Sequence, residues 1–155
     1  MEPTPRAIAE FLSGKRIAVA GASRDGRQPA NAILRRLASA GYDAIPINPN
    51  AARLEGVPCY PDLASVPGPL DGVVVVTHPS VSARVVRQCS ERGVGHVWFH
   101  RAFGAGSVSP EALEACRSHG ITPITGGCPL MFCGRVDLGH RCLRWWLGRR
   151  GRIPR

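Results

Sequence analysis

The sequence predicts an α/β fold: a five-stranded parallel sheet with helices on both faces, in three layers. Three observations predict it. Short apolar runs alternate with helical patterns four times along the chain, and such alternation requires crossovers between parallel strands. The run at 72–77 (Gly-Val-Val-Val-Val-Thr) is continuous and β-branched, as befits a strand buried on both faces. The stretch 15–40 joins the apolar run Ile17-Ala18-Val19-Ala20 to a polar glycine loop and then to Pro29, a residue suited to the first position of a helix.

The elements follow in order. Residues 4–12 read as an opening helix with Thr4 as cap and Pro5 at its first position, packed through Ile8, Phe11 and Leu12. The helix from Pro29 carries Ile33, Leu34 and Leu37 at helical spacing and stops at Gly41. Residues 43–48 form the second strand, where Pro46 removes one ladder donor and so suits an edge or a strand end. Residues 51–70 are rich in proline and glycine, with one helical turn expected at 61–66. After the strand at 72–77, Ser80 is expected to cap a helix over 81–92 that ends at Gly93. A fourth strand at 95–100 and a loop at 101–108 come next. Ser109-Pro110-Glu111 opens a helix closed by His119-Gly120. A fifth strand covers 121–125, a loop 126–135 and a last helix 137–147, continuing into a basic tail.

Length and composition limit the function classes. A chain of 155 residues is expected to be one domain, and 44% hydrophobic with 20% charged residues is ordinary for a globular protein. The formal net charge of +9 favours anionic partners. Arg141, Arg144, Arg149, Arg150, Arg152 and Arg155 gather in the tail and read as a solvated face. The chain lacks a recognition-helix motif and a basic face interleaved with aromatics, so no nucleic-acid partner is expected. No apolar run approaches about 18 residues, so no membrane span is expected. Glu2 and Glu10 stand where a signal peptide would be apolar, which predicts a cytoplasmic protein whose six cysteines are reduced.

In parallel sheets, ligands bind at the carboxyl ends of the strands, near the switch in strand order. The residues to watch are therefore 21–28, 48–50, His78 and Pro79, 100–107 and 126–128. Strand, glycine loop and helix N-terminus together aim backbone N–H groups and a positive dipole at an anion, read here as a nucleotide pyrophosphate. The G-x-G-x-x-G fingerprint is absent, since the loop reads Gly21-Ala22-Ser23 and then Gly26. Asn48-Pro49 stands where an acidic residue would grip a ribose hydroxyl. Both departures count against a standard NAD-dependent dehydrogenase. No Gly-Lys-Ser/Thr follows the loop, which excludes Walker-type phosphate binding.

Taken together, Ala18-Val19-Ala20-Gly21-Ala22-Ser23 with Pro29 and Asn31, Gly41-Tyr42, and Ile45-Pro46-Ile47-Asn48-Pro49 resemble the bacterial CoA-binding domain family. Glu55-Gly56, Tyr60-Pro61-Asp62-Leu63, Val97-Trp98 and Gly126-Gly127-Cys128-Pro129 extend the resemblance over roughly residues 5–130. It implies a small Rossmann-like domain, similar to the N-terminal domain of the succinyl-CoA synthetase α subunit, that holds CoA or a related nucleotide. By the match, Gly21, Ala22 and Ser23 would meet the pyrophosphate, and Asn48 and Pro49 would border the adenosine. The family often has a lysine after Asn-Pro where this chain has Asn50, so Arg24, Arg27 or Arg53 would have to supply charge to a 3′-phosphate. Residues 99–107 replace the family's glutamine and short glycine turn, so the far end of the pocket is expected to differ. The synthetase's phosphohistidine lies outside its CoA-binding domain, and His100 does not inherit that role.

Other residues carry weaker chemistry. Cys128, Cys133, His140 and Cys142 are four soft ligands within fifteen residues, but the spacing lacks a C-x2-C knuckle and His140 and Cys142 diverge on a helix, so no metal is expected. Cys128, on the ligand edge, is a nucleophile candidate or a packed thiol. His78, His100 and Arg101 follow the third and fourth strands and are candidate ligand contacts, with His100 also a candidate acid–base group. Adjacent Trp145 and Trp146 cannot both face one core, so one of them either marks a candidate homodimer contact or packs under a surface loop. The leading reading is a non-enzymatic binding module for CoA or an acyl-CoA. The alternative is an NAD(P)-linked or cysteine-dependent enzyme on the same fold.

Overall fold

The computed structural model describes residues 5–101, 106–135 and 138–153. The expected roles of Thr4 as a cap and Asp137 as a helix start, the loop residues 102–105, and Arg155 of the tail lie outside them. In chain order the elements are α1 (Arg6–Leu12), β1 (Arg16–Ala20), α2 (Pro29–Ser39), β2 (Asp43–Ile47), β3 (Arg53–Leu54), β4 (Val57–Pro58), β5 (Gly72–Val75), α3 (Pro79–Glu91), β6 (His96–Phe99), α4 (Pro110–Ser118), β7 (Thr122–Ile124) and α5 (Leu138–Arg149).

Alternation along the central strands divides the core into two layers. Ile17 and Val19 of β1, Val74 of β5 and Trp98 of β6 face one side, where they meet Ile8 and Phe11 of α1, Ile33 and Leu37 of α2 and Leu147 of α5. Ala18, Val73, Val75, Val97 and Phe99 face the other, against Val86 and Cys89 of α3 and Ala112 and Cys116 of α4. The result is the expected three-layer, Rossmann-like α/β fold. Trp98 anchors the first layer: it is fully buried, meets Phe11 edge-on at 5.4 Å and donates its indole N–H to Gly126 O at 3.2 Å. Truncating so large a buried ring costs about 3–5 kcal/mol. Gly72 makes room for Phe11, since a Cβ there would stand 2.7 Å from the ring.

The five parallel strands lie in the order β2-β1-β5-β6-β7. The chain steps from β1 to β2 on one side, then crosses back to β5 on the other, so the switch point lies between β1 and β5. As its proline suggested, β2 is an edge of this sheet. The carbonyl of Pro46 accepts from Tyr60 N–H at 3.1 Å, on the side away from β1, so the missing donor falls outside the ladder.

Several expectations need correction. Residues 53–58 form a two-residue hairpin whose turn, Glu55-Gly56, has φ of 50° and 77°. Residues 61–66 form no regular helix but hold one hydrogen-bonded turn, Val66 N–H to Leu63 O at 3.3 Å, which Asp62 opens by accepting from Ser65 N and Ser65 Oγ, both at 2.8 Å. The cap of α3 is His78, whose ring nitrogen accepts from Ser80 N at 3.3 Å, and Pro79 takes the first helical position. Ser80 is therefore inside the helix. Pro5 is the N-cap residue of α1 and not its first helical residue. The last helix runs to Arg149, and its outer face interleaves aromatic and basic groups: Arg149 stacks on Trp145 at 4.5 Å and Arg150 on Trp146 at 4.1 Å. Among the described residues, no helix is long and apolar enough to cross a membrane.

Candidate functional site

The glycine loop after β1 is fastened by the chain itself. Gly21 has φ of +101°, and a Cβ there would stand 2.6 Å from Val76 O. Glycine is required because the loop passes against the exit of β5, so a bulky side chain would disturb the fold as well as any ligand. Behind the loop, Asn31 is only 1% exposed. Its Oδ1 accepts from Ser23 N–H at 2.9 Å, and its Nδ2 donates to Ser23 O at 2.7 Å and to Glu55 Oε1 at 2.9 Å. Arg35 reaches the same Glu55 oxygen at 2.8 Å and Gly26 O at 3.0 Å. The Asn31 hydrogen bond, followed by the hydrogen bond and positive charge of Arg35, holds the Glu55 carboxyl below its usual range. From the other side, Asn48 donates from Nδ2 to Ala22 O at 2.7 Å and accepts Asn50 N–H at 2.7 Å. Ser23 N–H and the Asn31 amide thus serve each other, and neither residue lines either of the two cavities at the carboxyl edge.

Two cavities open along the carboxyl edge of the sheet, on either side of this loop. The first, of about 510 Å³, lies at the switch point. Ala20, Gly21, Ala22, Ile47, Asn48 and Pro49 form one wall, and Thr77, Val81, Arg84, Val85 and Gln88 of the α3 segment form the other, with Pro61 and Asp62 at the end. The second, of about 530 Å³, lies between Arg27 and Pro29 on one side and His100, Gly106, Cys128, Leu130, Met131, His140 and Leu143 on the other. The α2 N-terminus stands beside the second cavity; its N-cap residue, Gln28, makes no side-chain capping bond.

The sequence-derived site residues separate between these places. Gly21, Ala22, Asn48 and Pro49 line the first cavity; Arg27 and His100 line the second. His78 and Pro79 open α3 next to the first cavity without lining it. Arg101 pairs its N–H with Gly127 O at 3.2 Å and lines neither. Arg24 is exposed. Arg27 is held by Asp25 at 3.0 Å, and Arg53 donates to Gly56 O at 2.8 Å. Ser82, fully buried, donates to Ser107 O at 2.6 Å and ties the loop after β6 to α3.

Sequence reading missed Arg84 and Asp62 as cavity residues. The signal for Arg84 is periodic: Val81, Arg84 and Gln88 recur at helical spacing, so one face of α3 presents them to the first cavity, with Thr77 just ahead of the helix.

Of the catalytic candidates, Cys128 is poorly activated. Cys128 is 2% exposed, and burial pushes its thiol up to about 11. Burial lowers the pKa of His100, favouring neutral imidazole. Cys128 and Cys133 are buried while Cys142 is exposed, and among the described residues no group of three His, Cys, Asp or Glu side chains could hold a metal.

A family model described as the CoA binding domain matches residues 15–133. YneT of Bacillus subtilis is 29% identical over 127 residues, covering 81% of this chain and 91% of that one. The ADP-forming acetate–CoA ligase II of Archaeoglobus fulgidus is 28% identical over 122 residues, covering 74% of this chain but only 18% of the ligase. Among solved structures, a hypothetical protein from Pyrococcus horikoshii superposes with a TM-score of 0.73 at 25% identity, covering 83% of this chain and 93% of that one. With its glycine loop, its β2-β1-β5-β6-β7 order of parallel strands and a family match over most of its length, the chain belongs to the CoA-binding domain family.

Proposed function

We propose that the chain binds coenzyme A at the carboxyl edge of its sheet and performs no catalysis of its own. The observation that carries this reading is the first cavity. It sits at the switch point, between the fastened Gly21–Ala22 backbone and the Asn48-Pro49 turn, with one exposed arginine, Arg84, on its far wall. Ala20, Ile47, Val81 and Val85 offer apolar contact to an adenine ring, and Arg84 offers charge to a phosphate. The pyrophosphate would lie against the loop and the α2 N-terminus, where backbone dipoles favour an anion. Relatives named as acetate–CoA ligases carry a matching segment, which supports CoA as the ligand. A buried, unactivated Cys128 favours binding over thiol chemistry.

One observation favours NAD(P) as the competing ligand: Asp62 brings a carboxylate to the same cavity, able to accept from ribose hydroxyls. Calorimetric titration with CoA, adenosine 3′,5′-bisphosphate, dephospho-CoA, NAD, NADP and ATP separates the two. Tighter binding of CoA than of NAD or NADP is expected. Saturable binding of NAD or NADP with none of CoA would reverse the assignment.

A further inference from the structure

We propose that the second cavity receives the acyl end of an acyl-CoA and selects an uncharged aliphatic acyl group. This inference rests on the CoA reading above and adds the substrate class. Both cavities border the same stretch of chain: Gly21 and Ala22 line the first, and Arg27 and Pro29 line the second. His100 follows β6, two strands from β1, hence about 10 Å along the edge at ordinary strand spacing. An extended pantetheine arm is longer than that. An arm leaving the α2 N-terminus along the carboxyl edge is therefore long enough to reach the second cavity, which Pro29 itself lines.

The walls there are mostly apolar. Met131 is fully buried, Cys128 nearly so, and Leu130 and Leu143 pack against the same core. A neutral imidazole at His100 offers one donor and one acceptor, matching an amide or thioester carbonyl and an amide N–H of the arm. A carboxylate on the acyl group would find little help. Arg27, the arginine lining this cavity, has a side chain 91% exposed beside Asp25, so its charge is screened by water, and burying an unpaired carboxylate is costly. His140 and Leu143 belong to α5, beyond the residues the family model matches. The acyl end is thus closed by a helix outside the matched domain.

The test titrates the full chain with adenosine 3′,5′-bisphosphate, CoA, acetyl-CoA, isovaleryl-CoA and succinyl-CoA. Isovaleryl-CoA should bind roughly tenfold more tightly than CoA, as expected for burying two or more methylene-sized groups. Succinyl-CoA should bind no better than CoA. Leu143→Phe, which fills the cavity from α5, should abolish the isovaleryl preference and leave adenosine 3′,5′-bisphosphate affinity unchanged. The acyl series on the unsubstituted protein needs no variant, so a misfolded variant would not spare the idea. Equal affinities for CoA and isovaleryl-CoA, or a preference for succinyl-CoA, overturn this inference alone. Failure of every adenosine ligand to bind overturns the CoA reading and this inference with it.

Discussion

Asn31 and Ser23 hold each other through two hydrogen bonds, Ser23 N–H to Asn31 Oδ1 at 2.9 Å and Asn31 Nδ2 to Ser23 O at 2.7 Å. The side chain of the first turn of α2 thereby fixes the backbone of the glycine loop eight residues earlier. Glu55, from the hairpin beside the sheet, fixes Asn31 in turn. The loop is thus set in shape before any ligand arrives, which lowers the ordering cost of binding.

Asn31→Ala should cost about 2–3 kcal/mol, because Ser23 loses both partners and Glu55 loses one. For a domain of this size, that lowers the melting temperature by roughly 4–12 °C. Asn31→Asp places a second carboxylate beside Glu55 and should be at least as damaging near pH 7, with partial relief as the pH falls. Thermal melts of the three proteins check this; a change under about 0.5 kcal/mol for Asn31→Ala would show that the loop stands without its brace.

The six thiols should react unequally. Cys142 is exposed, the other five are buried, and burial pushes Cys89 up to about 12 and Cys116 and Cys128 up to about 11. Thiolate is the reacting form, so an Ellman titration at pH 8 should show one fast equivalent, with the rest following only on unfolding. Cys142→Ser should remove the fast phase. Retention of that phase, with its loss in Cys128→Ser, would restore Cys128 as a reactive group.

His100 should make stability depend on pH near neutrality. Burial lowers its folded pKa below the unfolded value of about 6.5, so the unfolded chain binds the extra proton first. Its contribution is therefore lost as pH falls through about 6.5 and levels off below the folded pKa. His100→Gln should flatten that part of the stability profile measured by urea unfolding between pH 5 and 8. An unchanged profile would mean that His100 is fully hydrated.

What was legible in the sequence depended on whether local pattern or tertiary contact decided it. The strands Ile17–Ala20 and Val73–Val75 were legible because burial on both faces leaves a continuous apolar run, and Pro46 pointed to an edge or a strand end because a central strand cannot lose a donor. The hairpin at Glu55-Gly56 was hidden: its turn puts a glutamate at φ of 50°, where Asn, Asp or Gly is the usual signal. Asn31 could be noticed only through resemblance, because its partners at Ser23 and Glu55 meet it through the fold. The ligand edge was legible from the strand–loop–helix order, but which arginine faces it depends on how α3 is rotated.

That rotation gives the last prediction. Of the arginines that could read a 3′-phosphate, Arg27 is tied to Asp25 and Arg53 to Gly56 O, while Arg84 lines the cavity between Asn48-Pro49 and α3. The charge that the related proteins often place after the Asn-Pro turn would here come from across the cavity. An exposed charge-assisted contact is worth about 1.5 kcal/mol, close to tenfold in affinity. Arg84→Ala should therefore weaken CoA binding about tenfold and leave dephospho-CoA nearly unchanged, whereas Arg27→Ala and Arg53→Ala should alter the ratio little. Because the arginine is exposed, the preference should shrink as salt rises. Calorimetry of both ligands at two salt concentrations measures it. If Arg84→Ala keeps the parent's preference while Arg24→Ala loses it, the phosphate lies on the loop side of the cavity and α3 contributes only its wall.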